Sequence, residues 1–224
     1  YEWRELDYNG AQILKESGWI YLVDGGLERR VLAHGQARMR GGLFGGQVSY
    51  DGRRMDFTEY QSQTLYVGAK LEADGAWQWN PWENAGLLPL AGVGGRVWKR
   101  RLDASRTDDQ GYDENWVSLY AILGLRGELN VKPGWTAFAE CAVRRPFYNH
   151  ETVYLSVAEG RSNLEFEPGC EPSWFVEGGL RTGAYRWSVF YEQLRYAKSD
   201  YELKTFYQPK SEADMIGLAC GIAF

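Results

Sequence analysis

Apolar and polar side chains alternate along most of this chain. The cleanest run is 116–126, where Val117, Leu119, Ala121, Leu123 and Leu125 take one parity and Ser118, Tyr120, Gly124 and Arg126 the other. A period of two belongs to a strand with two unlike faces. The same pattern recurs at 17–30, 36–50, 62–72, 88–100, 135–144, 174–181, 186–196 and 211–224, and more weakly at 1–8. These runs predict ten antiparallel strands in one all-β domain spanning 1–224, with eight strands plus an N-terminal plug or arm as the alternative. The short connections at 31–35, 129–134 and 182–184 fall at one end of such an arrangement. The longer stretches at 51–59, 101–113, 145–172 and 198–210 fall at the other. Residues 73–86, with Trp77, Trp79 and Trp82 among Asn, Pro and Gly, read as a turn.

The final stretch sets the class of protein. Ile216, Leu218, Cys220, Ile222 and Phe224 are apolar at every second position, with Gly217, Ala219, Gly221 and Ala223 between them. A last strand of this kind ending in Phe resembles the closing strand of bacterial outer-membrane β-barrel proteins, in particular small barrels of 8–10 strands. The resemblance implies a transmembrane, up-and-down antiparallel barrel in the outer membrane. Its surroundings would be membrane lipid and lipopolysaccharide, and the closing strand would be read by the barrel-assembly machinery during biogenesis. The split into short and long connections fits, since such barrels carry short periplasmic turns and longer outer loops.

Composition narrows this further. The mean hydropathy is −0.48 and no run of about 18 apolar residues occurs, which excludes a spanning helix but not a barrel, where only alternate residues face lipid. Aromatic residues make up 15%, with 10 Trp and 15 Tyr, enough for girdles at two membrane interfaces. The competing reading is a soluble β-sandwich or a lipocalin-like cup. The sequence opens on a polar, aromatic segment and reads as a mature form. A net charge of −5 without a basic cluster argues against nucleic acid as a partner. Cys141 and Cys220 fall on outward parity and Cys170 in a loop, which suits neither a disulfide framework nor a metal site. No cofactor is implied.

The inward parity is charged. Arg38, Arg40, Lys70, Arg96, Arg126, Arg144 and Arg181 face Asp24, Glu28, Glu72, Glu140, Glu177 and Glu192 across the lumen. Near-balance in a narrow interior predicts mutual pairing, and Arg suits bidentate contact with carboxylates. The expected product is a lumen closed by ion pairs, with a narrow solute channel as the alternative. Catalysis has less to stand on. His34 and His150 are the two histidines. His150 lies beside Glu151 and near Ser156, and Asp108-Asp109 sits in another outer stretch, but neither the lipid A deacylase pattern nor the omptin pattern is reproduced. No catalytic residue is assigned. The paired glycines lie within strands and serve packing, not phosphate binding. The function expected is structural or accessory, with outer loops contacting a partner membrane protein; a narrow solute channel is the alternative and a loop-borne hydrolase of lipid A deacylase or omptin type the third reading.

Overall fold

The computed structural model describes all residues except Tyr8, 54–58, 104–110, 156–162, 202–205 and 223–224. Among the described residues, fourteen strand segments build ten staves of one closed antiparallel barrel, and no helix is present. β1 (Glu2–Leu6) turns back into β2 (Gln12–Gly18), which continues after a break at Trp19-Ile20 as β3 (Tyr21–Arg30). β2 and β3 pair successive parts of β4 (Gly35–Arg53) and so form one stave. β5 (Glu59–Trp77) with β6 (Trp79–Trp82), β7 (Ala85–Leu102), β8 (Asp113–Lys132) and β9 (Trp135–Tyr154) follow. A composite stave of β10 (Leu164–Phe166), β11 (Gly169–Cys170) and β12 (Ser173–Thr182) leads to β13 (Tyr185–Ala197) and β14 (Lys210–Ile222). The wall closes where β1 pairs β14 from Glu2↔Asp214 to Leu6↔Lys210.

The predicted ten-strand, single-barrel architecture and its alternating short and long connections are therefore present. Three sequence expectations are corrected. The described part of 145–172 is largely strand: β9 runs on to Tyr154, and β10 pairs it through Leu164↔Val153. Cys170 accordingly sits in β11, not in a loop. The segment 73–86 is not a turn, because β5 continues to Trp77 and β6 carries Trp79 and Trp82; the reversal is confined to Glu83 and Asn84. Left-handed backbone at Gly134 (φ 78°) and Gly183 (φ 53°) makes two other short reversals.

β4, β5, β7, β8 and β9 are 18 to 20 residues long, about twice what a tilted strand needs to cross a bilayer. Their outer faces are correspondingly divided. Toward the short turns the outward positions are apolar, with Leu43, Val67, Leu71, Val93, Leu123 and Val189 all exposed. Aromatic rings border this belt at one end with Trp77, Trp79, Trp82 and Tyr185, and at the other with Trp19, Phe147 and Trp174. Above the belt the outward side chains turn polar: Lys15 pairs Glu2 at 2.9 Å, and Asp113 pairs Lys99 at 2.6 Å and Arg101 at 3.0 Å.

Several strand glycines are required by close approach. A Cβ at Gly179 would stand 2.1 Å from the Trp187 carbonyl oxygen, and one at Gly46 would stand 2.3 Å from that of Trp19. Both meet backbone, which cannot rotate away. Gly179→Ala should therefore lower barrel stability by about 1–3 kcal/mol in urea unfolding, whereas Gly221→Ala, which meets nothing within 4 Å, should change it little. Equal effects of the two would contradict this account of the wall.

Candidate functional site

Three layers fill the lumen. The uppermost lies above the apolar belt and is an aromatic plug. Trp3, Trp98, Trp116 and Tyr196 are buried there with Leu14, Val48 and Tyr66. Trp98 and Trp116 stack at 5.2 Å, and Trp3 meets Trp116 edge-on at 5.6 Å. Within this plug lies one buried guanidinium, Arg100, exposed by 1%. Its Nη1 donates to Glu114 at 2.8 Å and to Glu5 at 3.2 Å, while Nη2 donates to Glu16 at 2.9 Å. Glu16 also accepts from Thr64 Oγ1 at 2.6 Å and from the Tyr66 hydroxyl. Trp3 and Trp116 point their indole N–H groups at Glu5 and Glu114, at 3.2 and 3.1 Å.

Glu151 adds a further carboxylate to this layer. It is fully buried, and neither of its oxygens has a hydrogen-bond partner. Burial, with Glu114 and Glu5 close by, pushes its carboxyl well above the usual range, against a smaller opposing pull from Arg100. Burial likewise raises Glu5, again against Arg100. One cation thus serves several carboxylates, and the proton supplies what the cation does not.

The middle layer is a web of ion pairs within the belt. Glu140, 1% exposed, is its centre. It accepts from Arg38 at 2.7 and 3.1 Å, from Arg40 at 3.3 Å and from Arg126 at 3.0 Å. Arg38 also pairs Asp74 at 3.0 Å, and Arg40 pairs Glu72 at 3.0 Å. Glu72 further takes Arg144 at 2.8 Å and the Tyr120 hydroxyl at 2.9 Å. Arg144 reaches on to Glu192 at 2.7 Å, which also holds Arg96. Glu177 binds Arg186 at 2.7 Å and Ser188 at 2.6 Å. Aromatic faces support the cations: Arg144 lies 4.2 Å over Phe175, and Arg186 lies 4.3 Å over Phe138.

Between this web and the short turns is a cavity of about 130 Å³, lined by residues of β3, β4, β5, β8, β9, β12, β13 and β14 and walled on one side by the web itself. Lys70, Phe138, Phe190, Arg181 and Ala219 are among its walls.

The predicted lumen residues Arg38, Arg40, Arg96, Arg126, Glu140, Arg144, Glu177 and Glu192 all meet in the middle layer, and Lys70 faces the cavity. Arg181 is brought only to the lower mouth, with its side chain 36% exposed and Glu128 at 3.7 Å. Asp24 and Glu28 also stand at that mouth, where Glu28 accepts from Arg126 at 3.1 Å. Ile216, Leu218, Cys220 and Ile222 project outward as the parity requires; Phe224 lies outside the described residues. Arg100, Glu5, Glu16, Glu114, Glu151 and Asp74 were not anticipated. Parity within 88–100 assigns Arg96 inward, so Arg100 is recoverable four residues on.

Neither histidine has a catalytic setting among the described residues. His34 lies beside the Trp77 ring at 5.8 Å. His150 belongs to β9, not to an outer loop, and contacts Tyr148 and Thr152, while Glu151 points to the opposite face. Ser156 and Asp108-Asp109 lie outside the described residues. No group of three or more metal-ligating side chains occurs among the described residues.

No family model matches the chain, and no curated protein matches it in sequence.

Two expected outcomes follow from the charges. Glu140→Gln leaves Arg38, Arg40 and Arg126 short of their shared acceptor and should cost about 3–5 kcal/mol in urea unfolding; a loss below about 1 kcal/mol would show that Glu140 is not the centre of the web. Glu5 and Glu151 bind protons more tightly folded than unfolded, so their contribution to stability falls as pH rises above the ordinary glutamate value of about 4.5. In Glu151→Gln the fall in stability above about pH 4.5 should be shallower, by at most about 1.4 kcal/mol per pH unit, the limit for one proton. An unchanged slope would place the Glu151 carboxyl in its ordinary range.

Proposed function

We propose that this chain is an integral protein of a bacterial outer membrane, a structural or accessory component whose barrel admits no through-flow. The observation that carries this reading is the aromatic plug. Trp3, Trp98, Trp116 and Tyr196 fill the upper lumen around Arg100, and the ion-pair web lies directly beneath them. A solute channel needs a continuous polar path, and stacked indoles offer none.

The apolar belt supports the membrane reading. Leu218 is 85% exposed and Val23 is 78% exposed, on a face that continues around the barrel between two rings of aromatic side chains. A belt this extensive is unfavourable in water and matches the lipid-facing surface of a spanning barrel. In this reading the alternating residues of β14 serve recognition by the barrel-assembly machinery. The polar extension above the belt stands clear of the membrane among lipopolysaccharide. Its rim is the surface offered to a partner membrane protein; the outer stretches 104–110, 156–162 and 202–205 lie outside the described residues.

In planar lipid bilayers the purified protein should give no discrete conductance steps; regular steps would favour a narrow channel. Cys141 and Cys220, both on the outer surface of the wall, should resist a water-soluble maleimide in intact membranes and react after transfer to detergent. Rapid labelling in the membrane would contradict the orientation of the wall.

A further inference from the structure

We infer that the lower cavity is a binding site for an oxyanion, a carboxylate or phosphate group held by Lys70. Charge bookkeeping at its walls points there first. Seven basic and five acidic side chains line the cavity. Most of the cations are committed: Arg40 and Arg144 meet Glu72, Arg126 meets Glu140, and Arg186 meets Glu177. Lys70 is not. Among the described residues no carboxylate lies within ion-pairing distance of its ammonium group, and it receives no hydrogen bond partner.

Lys70 is also badly placed to do without one. Its neighbours include two further cations, Arg96 and Arg144, and the carboxylates Glu192 and Glu72, both of which are already engaged by those arginines. A half-buried ammonium surrounded in this way lacks the partner that would offset its partial desolvation. The cavity beside it, about 130 Å³, has room for a small tetrahedral or planar oxyanion. Arg144 and Arg186 are braced on Phe175 and Phe138, so the cationic wall is held in place before any ligand arrives. Preorganised donors of this kind bind an anion at little reorganisation cost. The remaining walls, which include Phe190, Leu22 and Ile222, are apolar and can accept a hydrocarbon attached to the anion.

The test uses the purified chain in an uncharged detergent, with thermal unfolding followed by tryptophan fluorescence. Inorganic phosphate and laurate are titrated separately, each against sodium chloride of equal ionic strength. The wild-type midpoint should rise saturably with one or both probes. Lys70→Met and Lys70→Gln should lose at least ten-fold in apparent affinity while folding normally, since each removes an uncompensated, half-buried charge. Lys15→Met, on the outer face above the belt, should respond as the wild type does. A response to phosphate assigns a free oxyanion, and a response to laurate alone assigns the headgroup of an anionic lipid. No response to either probe, or an equal response in wild type and both Lys70 variants, would overturn the site.

Discussion

The interior of a ten-stave barrel is too narrow to hydrate fully the charges it contains, so each buried arginine depends on a carboxylate from another strand. This constraint organises the structure. Glu140 on β9 gathers Arg38 and Arg40 from β4 and Arg126 from β8. Glu72 on β5 gathers Arg40 and Arg144, and Glu192 on β13 gathers Arg96 and Arg144. Arg126–Glu140 and Arg40–Glu72 lie directly opposite on paired strands, but Arg38–Glu140, Arg144–Glu72 and Arg96–Glu192 join strands that are not neighbours in the wall, which ladder hydrogen bonds cannot do. Replacing a complete pair by apolar groups can be nearly neutral, but removing one partner leaves a bare charge. The web therefore fixes which strands face one another as much as it adds stability.

The upper lumen meets the same constraint differently. There the outer face is polar, so apolar groups can be spent inside, and the core becomes one of stacked indoles around a single guanidinium. Arg100 cannot balance Glu5, Glu16, Glu114 and Glu151 together, and protons on Glu5 and Glu151 reduce the excess negative charge. The barrel is thus two structures end to end. Its lower half is greasy outside and charged inside; its upper half is polar outside and largely aromatic inside.

That inversion explains what could be read from the sequence. In the belt, parity separates outward-facing from lumen-facing residues, and runs such as 116–126 declare both the strand and its polar face. Beyond the belt the outward side chains become Lys99, Arg101, Asp113 and Asn115, and inward ones include Trp98, Arg100, Glu114 and Trp116. Polar residues then occupy both faces, and the hydrophobic signal of a strand disappears even though the strand continues. Residues 145–154 look irregular for this reason: Asn149 and Glu151 point in while His150 and Thr152 point out. Asp74 was hidden by a local cause, since the Trp, Asn, Pro and Gly around it imitate a turn. Lys70 was legible as an inward residue, but its lack of a partner is a property of the assembled lumen.

The central claim is a closed, ion-paired barrel embedded in lipid, and gel mobility tests it most directly. Protein inserted into lipid vesicles is mixed with sodium dodecyl sulfate and run cold and after boiling. A barrel whose ladder closes through β14 and β1 should resist the detergent cold and migrate apart from the boiled 25.6 kDa chain. Identical mobility in the two lanes, together with recovery of the protein in the aqueous fraction without vesicles, would contradict it.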